Sequence, residues 1–194
     1  MVPSFTRMMI SSGTIRRMVI LINGAFGIGK TTVARLLSQR IPGSVIFDPE
    51  RIGFVLQRLP KLSGRPVEDF QDLRSWRRLS VLGVRAAAAL RPHVIVPMAF
   101  SNLSYLQEIR GGIARFEPRV HCFCLVAPLP VVRERLRHRK GWSGVDAMEW
   151  QYRRAAECCS AHEGAGFGER VPAGDRTAGQ VADDLLERLK GEQK

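Results

Sequence analysis

Gly24-Ala25-Phe26-Gly27-Ile28-Gly29-Lys30-Thr31 satisfies every fixed position of the pattern G-x-x-x-x-G-K-[ST]. The chemistry of such a run is anion binding. Glycines let the backbone curl until several N–H groups face one point, and a helix starting near Lys30 adds the positive end of its dipole. Lys30 brings a point charge to the β- and γ-phosphates of a nucleotide, and the hydroxyl of Thr31 is a ligand for Mg²⁺. Gly24 to Thr32 are therefore the expected ATP-binding residues, with Thr31 as the protein's metal ligand. A second glycine group, Gly164, Gly166 and Gly168, follows a helical stretch rather than a strand and does not fit G-x-G-x-x-G, so it reads as a loop.

The elements around this loop follow from apolar patterning. Met18 to Ile22 is a short β-branched run leading into the glycines, a buried strand. Lys30 to Ile41 has a helical stripe at Val33, Leu36 and Leu37 and stops at Pro42-Gly43. Val45 to Phe47 reads as the second strand, and a helix from about Glu50 to Leu59 follows it. Leu73, Trp76, Leu79 and Leu82 mark the inner stripe of a long helix reaching Ala89. His93 to Val96 and Arg119 to Val126 are the third and fourth strands, each followed by a helix, and a short strand lies near Arg170 to Pro172. Thr177 and Gln180 form a capping box for a last helix with Val181, Leu185 and Leu189 inside. Strand and helix alternate throughout. This predicts an α/β fold: a three-layer P-loop NTPase arrangement, with a five-stranded parallel sheet and helices on both faces. Residues 18–194 are expected to form one domain and residues 1–17 a disordered extension.

Ligands of such sheets sit at the carboxyl ends of the strands. Asp48 stands there after the second strand. Its carboxylate can accept a proton from a substrate hydroxyl, or it can simply cap the helix that Pro49 would begin. Glu50, two residues on, is a weaker candidate for the same role. After the fourth strand, Arg135 and Arg139 share a helix face within a basic segment, a lid of about residues 133–154 that Gly141 and Gly144 would hinge. The two guanidiniums would neutralise charge on a transferring phosphate, or they are ordinary solvated arginines. The third strand ends in Pro97-Met98, without the usual Walker B carboxylate, and no D-x-x-G or N-K-x-D signature of a GTPase occurs. This leaves a small-molecule kinase.

Composition narrows the class further. The 194 residues suit one domain, and the formal charge of +12 is mostly arginine spread over helix faces, Arg35, Arg40, Arg74, Arg85 and Arg188 among them. No basic patch interleaved with aromatics appears, so an anionic small ligand is expected rather than nucleic acid. The longest apolar runs are far below the roughly 20 residues that span a bilayer. Cys122, Cys124, Cys158 and Cys159 lack zinc or disulfide spacing and read as reduced, buried thiols, the pattern of a cytoplasmic protein.

The ordered set Ile22 to Gly27, Asp48-Pro49-Glu50, Gly53-Phe54, Phe70-Gln71, Trp76-Arg77, Val96-Pro97-Met98, Arg135 to Arg137, Trp142, Gln151 and Arg154 resembles the TmrB-type tunicamycin resistance proteins, from about Met18 to Leu189. Fold relatives of that family include antibiotic and nucleoside kinases such as chloramphenicol phosphotransferase. The resemblance implies ATP binding and protection against tunicamycin, a fatty-acylated nucleoside antibiotic, by phosphorylation or by sequestration. A small nucleoside or nucleotide kinase is a further alternative. Family members continue past the point where this chain stops, with a basic amphipathic segment suited to a membrane surface, so membrane association is not expected from the residues present. For an amphiphilic substrate, Phe54, Phe70, Trp76, Met98 and Phe100 are the expected groove-lining residues, with Arg77 offering a charge. Helix-spaced aromatics are more often core.

Overall fold

The computed structural model describes residues 16–50, 53, 69–138 and 145–191. In chain order these form β1 (Met18–Gly24), α1 (Lys30–Arg40), β2 (Ser44–Ile46), a 3₁₀ turn (Phe70–Asp72), α2 (Arg74–Leu90) and β3 (His93–Pro97). There follow α3 (Leu103–Ala114), β4 (Val120–Val126), α4 (Leu129–Arg137), α5 (Val145–Ala161), β5 (Glu169–Pro172) and α6 (Ala178–Gly191). The strands make one parallel sheet in the order β2-β3-β1-β4-β5. The predicted five-stranded α/β sheet is the one observed.

β1 lies at the centre of the sheet, and all seven of its residues are buried. A strand covered on both faces needs no polar alternation, which is why Met18 to Ile22 reads as one apolar run. The pleat still sorts its side chains. Met18, Ile20 and Ile22 enter the cluster that takes in Val33 and Leu37 of α1 and Val181, Leu185 and Leu189 of α6. Val19 and Leu21 point to the other layer, with Trp76 and Val84 of α2 and Leu106, Ile109 and Ile113 of α3. Helix α6 begins with the reciprocal cap expected of it. Thr177 N–H donates to Gln180 Oε1 (2.8 Å), and Gln180 N–H donates to Thr177 Oγ1 (3.3 Å).

Helix α2 forms where expected but turns a different face inward. Its buried residues are Trp76, Arg77, Ser80 and Val84, whereas Leu79 and Leu82 are exposed. The cause is the helical period. A strict three-residue repeat falls behind 3.6 residues per turn, so by Leu82 the stripe has drifted about 120° from Trp76. The arginines expected to be merely solvated are partly paired. Arg40 meets Asp183 at 3.2 Å, and Arg188 meets Asp184 at 2.7 Å. All four cysteines are free thiols. Burial pushes Cys124 and Cys158 up to about 12, which leaves them inert at neutral pH. Among the described residues, no helix is long and apolar enough to cross a membrane. The helix proposed for Glu50 to Leu59 falls largely outside the described residues.

The loop of Gly164, Gly166 and Gly168 leads into β5. Gly168 has φ +118°, and a Cβ there would sit 2.6 Å from the Cys122 carbonyl oxygen of β4. Backbone, unlike a flexible side chain, cannot step aside. Gly168→Ala is expected to destabilise the protein by about 1–3 kcal/mol or more, lowering Tm by roughly 3–10 °C. Thermal melting checks this, and an unchanged Tm would contradict the strain argument.

Candidate functional site

The loop between β1 and α1 curls as its glycines allow. Gly27 has φ +80°, and a Cβ on it would come within 2.5 Å of Leu136 Cγ. Gly27 thus serves two needs, a left-handed backbone and contact with the buried apolar edge of α4. Gly29 caps α1 at φ 107°. Lys30 is buried, with its ammonium 5.4 Å from the centre of the Phe26 ring and donating to the Ala25 carbonyl at 2.9 Å. The cation is therefore fixed against the loop instead of extending into solvent.

Beside the loop lies a cavity of about 390 Å³. Its lining includes Lys30, Thr31 and Thr32 from the start of α1 and Asp48 and Glu50 from the segment after β2. The charged lining also includes Arg35 and Arg135, giving three cations to two carboxylates among the described residues. An electropositive concavity floored by a helix N-terminus suits a polyphosphate.

Asp48 makes a local turn contact and lines the cavity: its Oδ1 accepts from Glu50 N–H at 3.0 Å, and the residue shares the cavity lining with Lys30. The Asp48-Pro49-Glu50 corner is held from below by Trp76, whose Nε1–H donates to the Pro49 carbonyl at 2.9 Å. Arg135 also lines the cavity, with its guanidinium tied to backbone. Nη1 donates to the Ile28 carbonyl at 3.1 Å and Nη2 to the Gly174 carbonyl at 3.0 Å. It braces the loop against the segment after β5. Arg139, with Gly141, Trp142 and Gly144, lies outside the described residues, as does Phe54.

The aromatic groove expected between the second and third strands is core instead. Phe70, Trp76, Met98 and Phe100 are each at most 3% exposed, and Trp76 packs between Phe70 (5.0 Å) and Phe100 (5.9 Å). Arg77 does not offer its charge to a ligand. It is buried, donates to Glu108 Oε2 and to the Gln71 carbonyl at 2.6 Å each, and stacks 4.1 Å from the Tyr105 ring. These residues shape the site from beneath.

Three contributors escaped the sequence reading. Arg35 was placed among the solvated arginines, yet it lines the phosphate-side cavity. Asn23, the residue before Gly24, is fully buried. Its Oδ1 accepts from Phe100 N–H at 2.9 Å, and its Nδ2 donates to the Phe100 carbonyl at 3.4 Å. His162 closes the same knot, with Nε2 2.8 Å from the Phe100 carbonyl. Burial lowers the His162 pKa, and because a carbonyl oxygen can only accept, Nε2 is the donor in this contact. The knot locks the segment after β3 to the start of the loop. Asn23 carried a usable signal, a polar side chain ending a buried strand. His162 carried none.

A parallel sheet of this order, with a glycine loop leading from its central strand into a lysine-headed helix, defines a P-loop protein of the small-kinase type. The AAA domain family model matches residues 19–157. The solved structure of the Deinococcus radiodurans tunicamycin resistance protein is similar at 31% identity, covering 90% of this chain and 96% of that one, with a TM-score of 0.69. The chain belongs to this family, as its resemblance in sequence implied. A gluconokinase from Sinorhizobium meliloti (16% identity, 90% and 93% covered, TM-score 0.63) shares the fold. So does an Acinetobacter baumannii shikimate kinase in complex with shikimate (13% identity, 91% and 94% covered, TM-score 0.59). No curated protein matches the sequence.

Proposed function

We propose that this chain is an ATP-dependent phosphotransferase whose acceptor is tunicamycin or a closely related nucleoside. The observation that carries the reading is one cavity lined by Lys30, Thr31 and Asp48 together. A protein that only bound nucleotide would have no need of a proton acceptor there, and a carboxylate in the lining supplies one. In this reading the loop amides from Gly24 to Thr32 and the Lys30 ammonium hold the β- and γ-phosphates. MgATP supplies the phosphoryl group and the metal's Lewis acidity, with the Thr31 hydroxyl as the protein's ligand to Mg²⁺. Asp48 takes the proton from the acceptor hydroxyl as its oxygen bonds to phosphorus, and Glu50 adjoins it. Arg135 keeps the loop in shape, and with Arg139 it adds positive charge beside the transferring group. The lid of about residues 133–154, the single domain of 18–194 and a cytoplasmic location belong to the same proposal.

The strand-end Pro97, where other P-loop enzymes often carry a carboxylate, favours a second reading in which ATP-loaded protein binds the antibiotic and holds it. Mass spectrometry of tunicamycin after incubation with protein and MgATP separates the two. The expected result is a product heavier by one phosphoryl group, formed with stoichiometric ADP. Tunicamycin of unchanged mass, retained on the protein only when ATP is present, would overturn phosphotransfer in favour of sequestration.

A further inference from the structure

A second cavity, of about 450 Å³, is lined in part by the segment that follows β3. Pro97 lines the phosphate-side cavity, while Ser101 and Asn102, a few residues on, line this one. The two are also linked through aromatic packing. Trp150 of α5 lines the second cavity and meets the loop residue Phe26 edge-on, with ring centres 5.3 Å apart. A molecule seated in the second cavity would therefore lie beside the phosphate loop.

Its lining differs in kind from the first. Among the described residues it is lined by three carboxylates, Asp69, Asp72 and Glu157, and two guanidiniums, Arg153 and Arg154. A polyphosphate would meet an excess of negative charge here. A neutral ligand rich in hydroxyls fits, because each hydroxyl donates to a carboxylate and accepts from a guanidinium at once. Arg154 is already positioned for this. It is half-buried and paired with Asp69 at 2.8 Å and with Glu157, while its Nε–H is buried with no hydrogen-bond partner. A small shift toward a ligand oxygen would satisfy that donor. Asp69 is held in turn by Gln71 N–H, which donates to Oδ1 at 2.9 Å. Burial raises its pKa, against that hydrogen bond and the Arg154 charge, as befits a carboxylate in a partly desolvated site. The lining also holds two aromatic rings, Trp150 and Tyr105, the side-chain type that packs on the C–H side of a sugar ring.

We propose that this cavity binds the hydroxyl-bearing sugar ring of the nucleoside acceptor, with Asp69 and Glu157 accepting from its hydroxyls, Arg153 and Arg154 donating to them and Trp150 covering one face. The inference rests on the kinase reading for the identity of the ligand, but the site itself would serve binding without transfer. The test is calorimetric titration of the full chain with tunicamycin in the presence of a saturating non-hydrolysable ATP analogue, for the wild type, Asp69→Asn and Glu157→Gln, with ATP affinity titrated separately. Asn keeps an oxygen to accept from Gln71, and Glu157 is the more exposed carboxylate, so both variants are expected to fold. The expected result is a Kd for tunicamycin raised about 10- to 100-fold in each, with the Kd for ATP unchanged. A normal tunicamycin Kd in either folded variant overturns the proposal, as does an equal loss of ATP affinity or no binding of tunicamycin to the wild type. Tunicamycin that binds with the predicted mutational pattern but is not phosphorylated would overturn the kinase reading and leave the subsite standing. Phosphotransfer with unaltered binding by the variants would do the reverse.

Discussion

Lys30→Ala is expected to lower phosphotransfer by on the order of 10²- to 10³-fold in kcat/KM, the usual cost of removing a fixed electrostatic contact to a transition state. The residue heads α1, is buried at the base of the loop, and donates to Ala25 of that same loop. Its ammonium is thus held at the loop before any nucleotide arrives, close to where charge would develop on a bound phosphate. Alanine is the best helix former and leaves α1 intact. The melting temperature should therefore move by only a few degrees, while cells expressing the variant lose resistance to tunicamycin. Lys30→Arg should not restore the rate, since a planar guanidinium does not reproduce a compact ammonium at the foot of a tight loop. Turnover and resistance at wild-type levels in a folded Lys30→Ala protein would end the functional assignment of the loop.

What could be read from the chain beforehand divides along the range of the interactions involved. The phosphate loop was legible because its backbone geometry is local, and glycines must stand where φ is positive or a side chain would collide with α4. The sheet was legible for a similar reason. Strands buried on both faces must be continuously apolar, and β1 and β3 have no other explanation. The capping box at Thr177 and Gln180 is written in adjacent residues and is formed as read. What failed depended on contacts between distant segments. Trp76 and Phe100 have the composition of a substrate groove, and only their mutual packing shows them to be core. Arg77 looks like any surface arginine until Glu108 and Tyr105 meet it from α3. The pairing of Asp69 with Arg154 joins a turn before α2 to the middle of α5, and no periodicity in either segment announces it. Arg135 lines the cavity beside the glycine loop, but its carbonyl partners Ile28 and Gly174 are invisible in a linear pattern.

Asp48→Asn is expected to separate proton transfer from binding. If a hydroxyl of the acceptor attacks phosphorus, its proton must leave, and a carboxylate just past β2 on the wall of the phosphate cavity is where it would go. Asparagine has nearly the same shape, and its side-chain oxygen can still accept the 3.0 Å bond from Glu50 N–H. The Pro49 carbonyl is held independently by Trp76, so the corner should keep its conformation. Stability and ATP affinity should stay close to wild type, whereas phosphotransfer falls by roughly 10²- to 10⁴-fold because the amide cannot take a proton. Under sequestration the same variant would still protect cells, since no proton has to move. A third outcome has its own signature. If Asp48 assists Mg²⁺ in place of the carboxylate missing at Pro97, nucleotide affinity measured with Mg²⁺ will weaken while affinity without Mg²⁺ does not change. Phosphotransfer, resistance and the two ATP affinities, taken on one folded variant, therefore distinguish base, metal ligand and turn-forming residue. Wild-type phosphotransfer by Asp48→Asn would leave Asp48 with only the last of these roles.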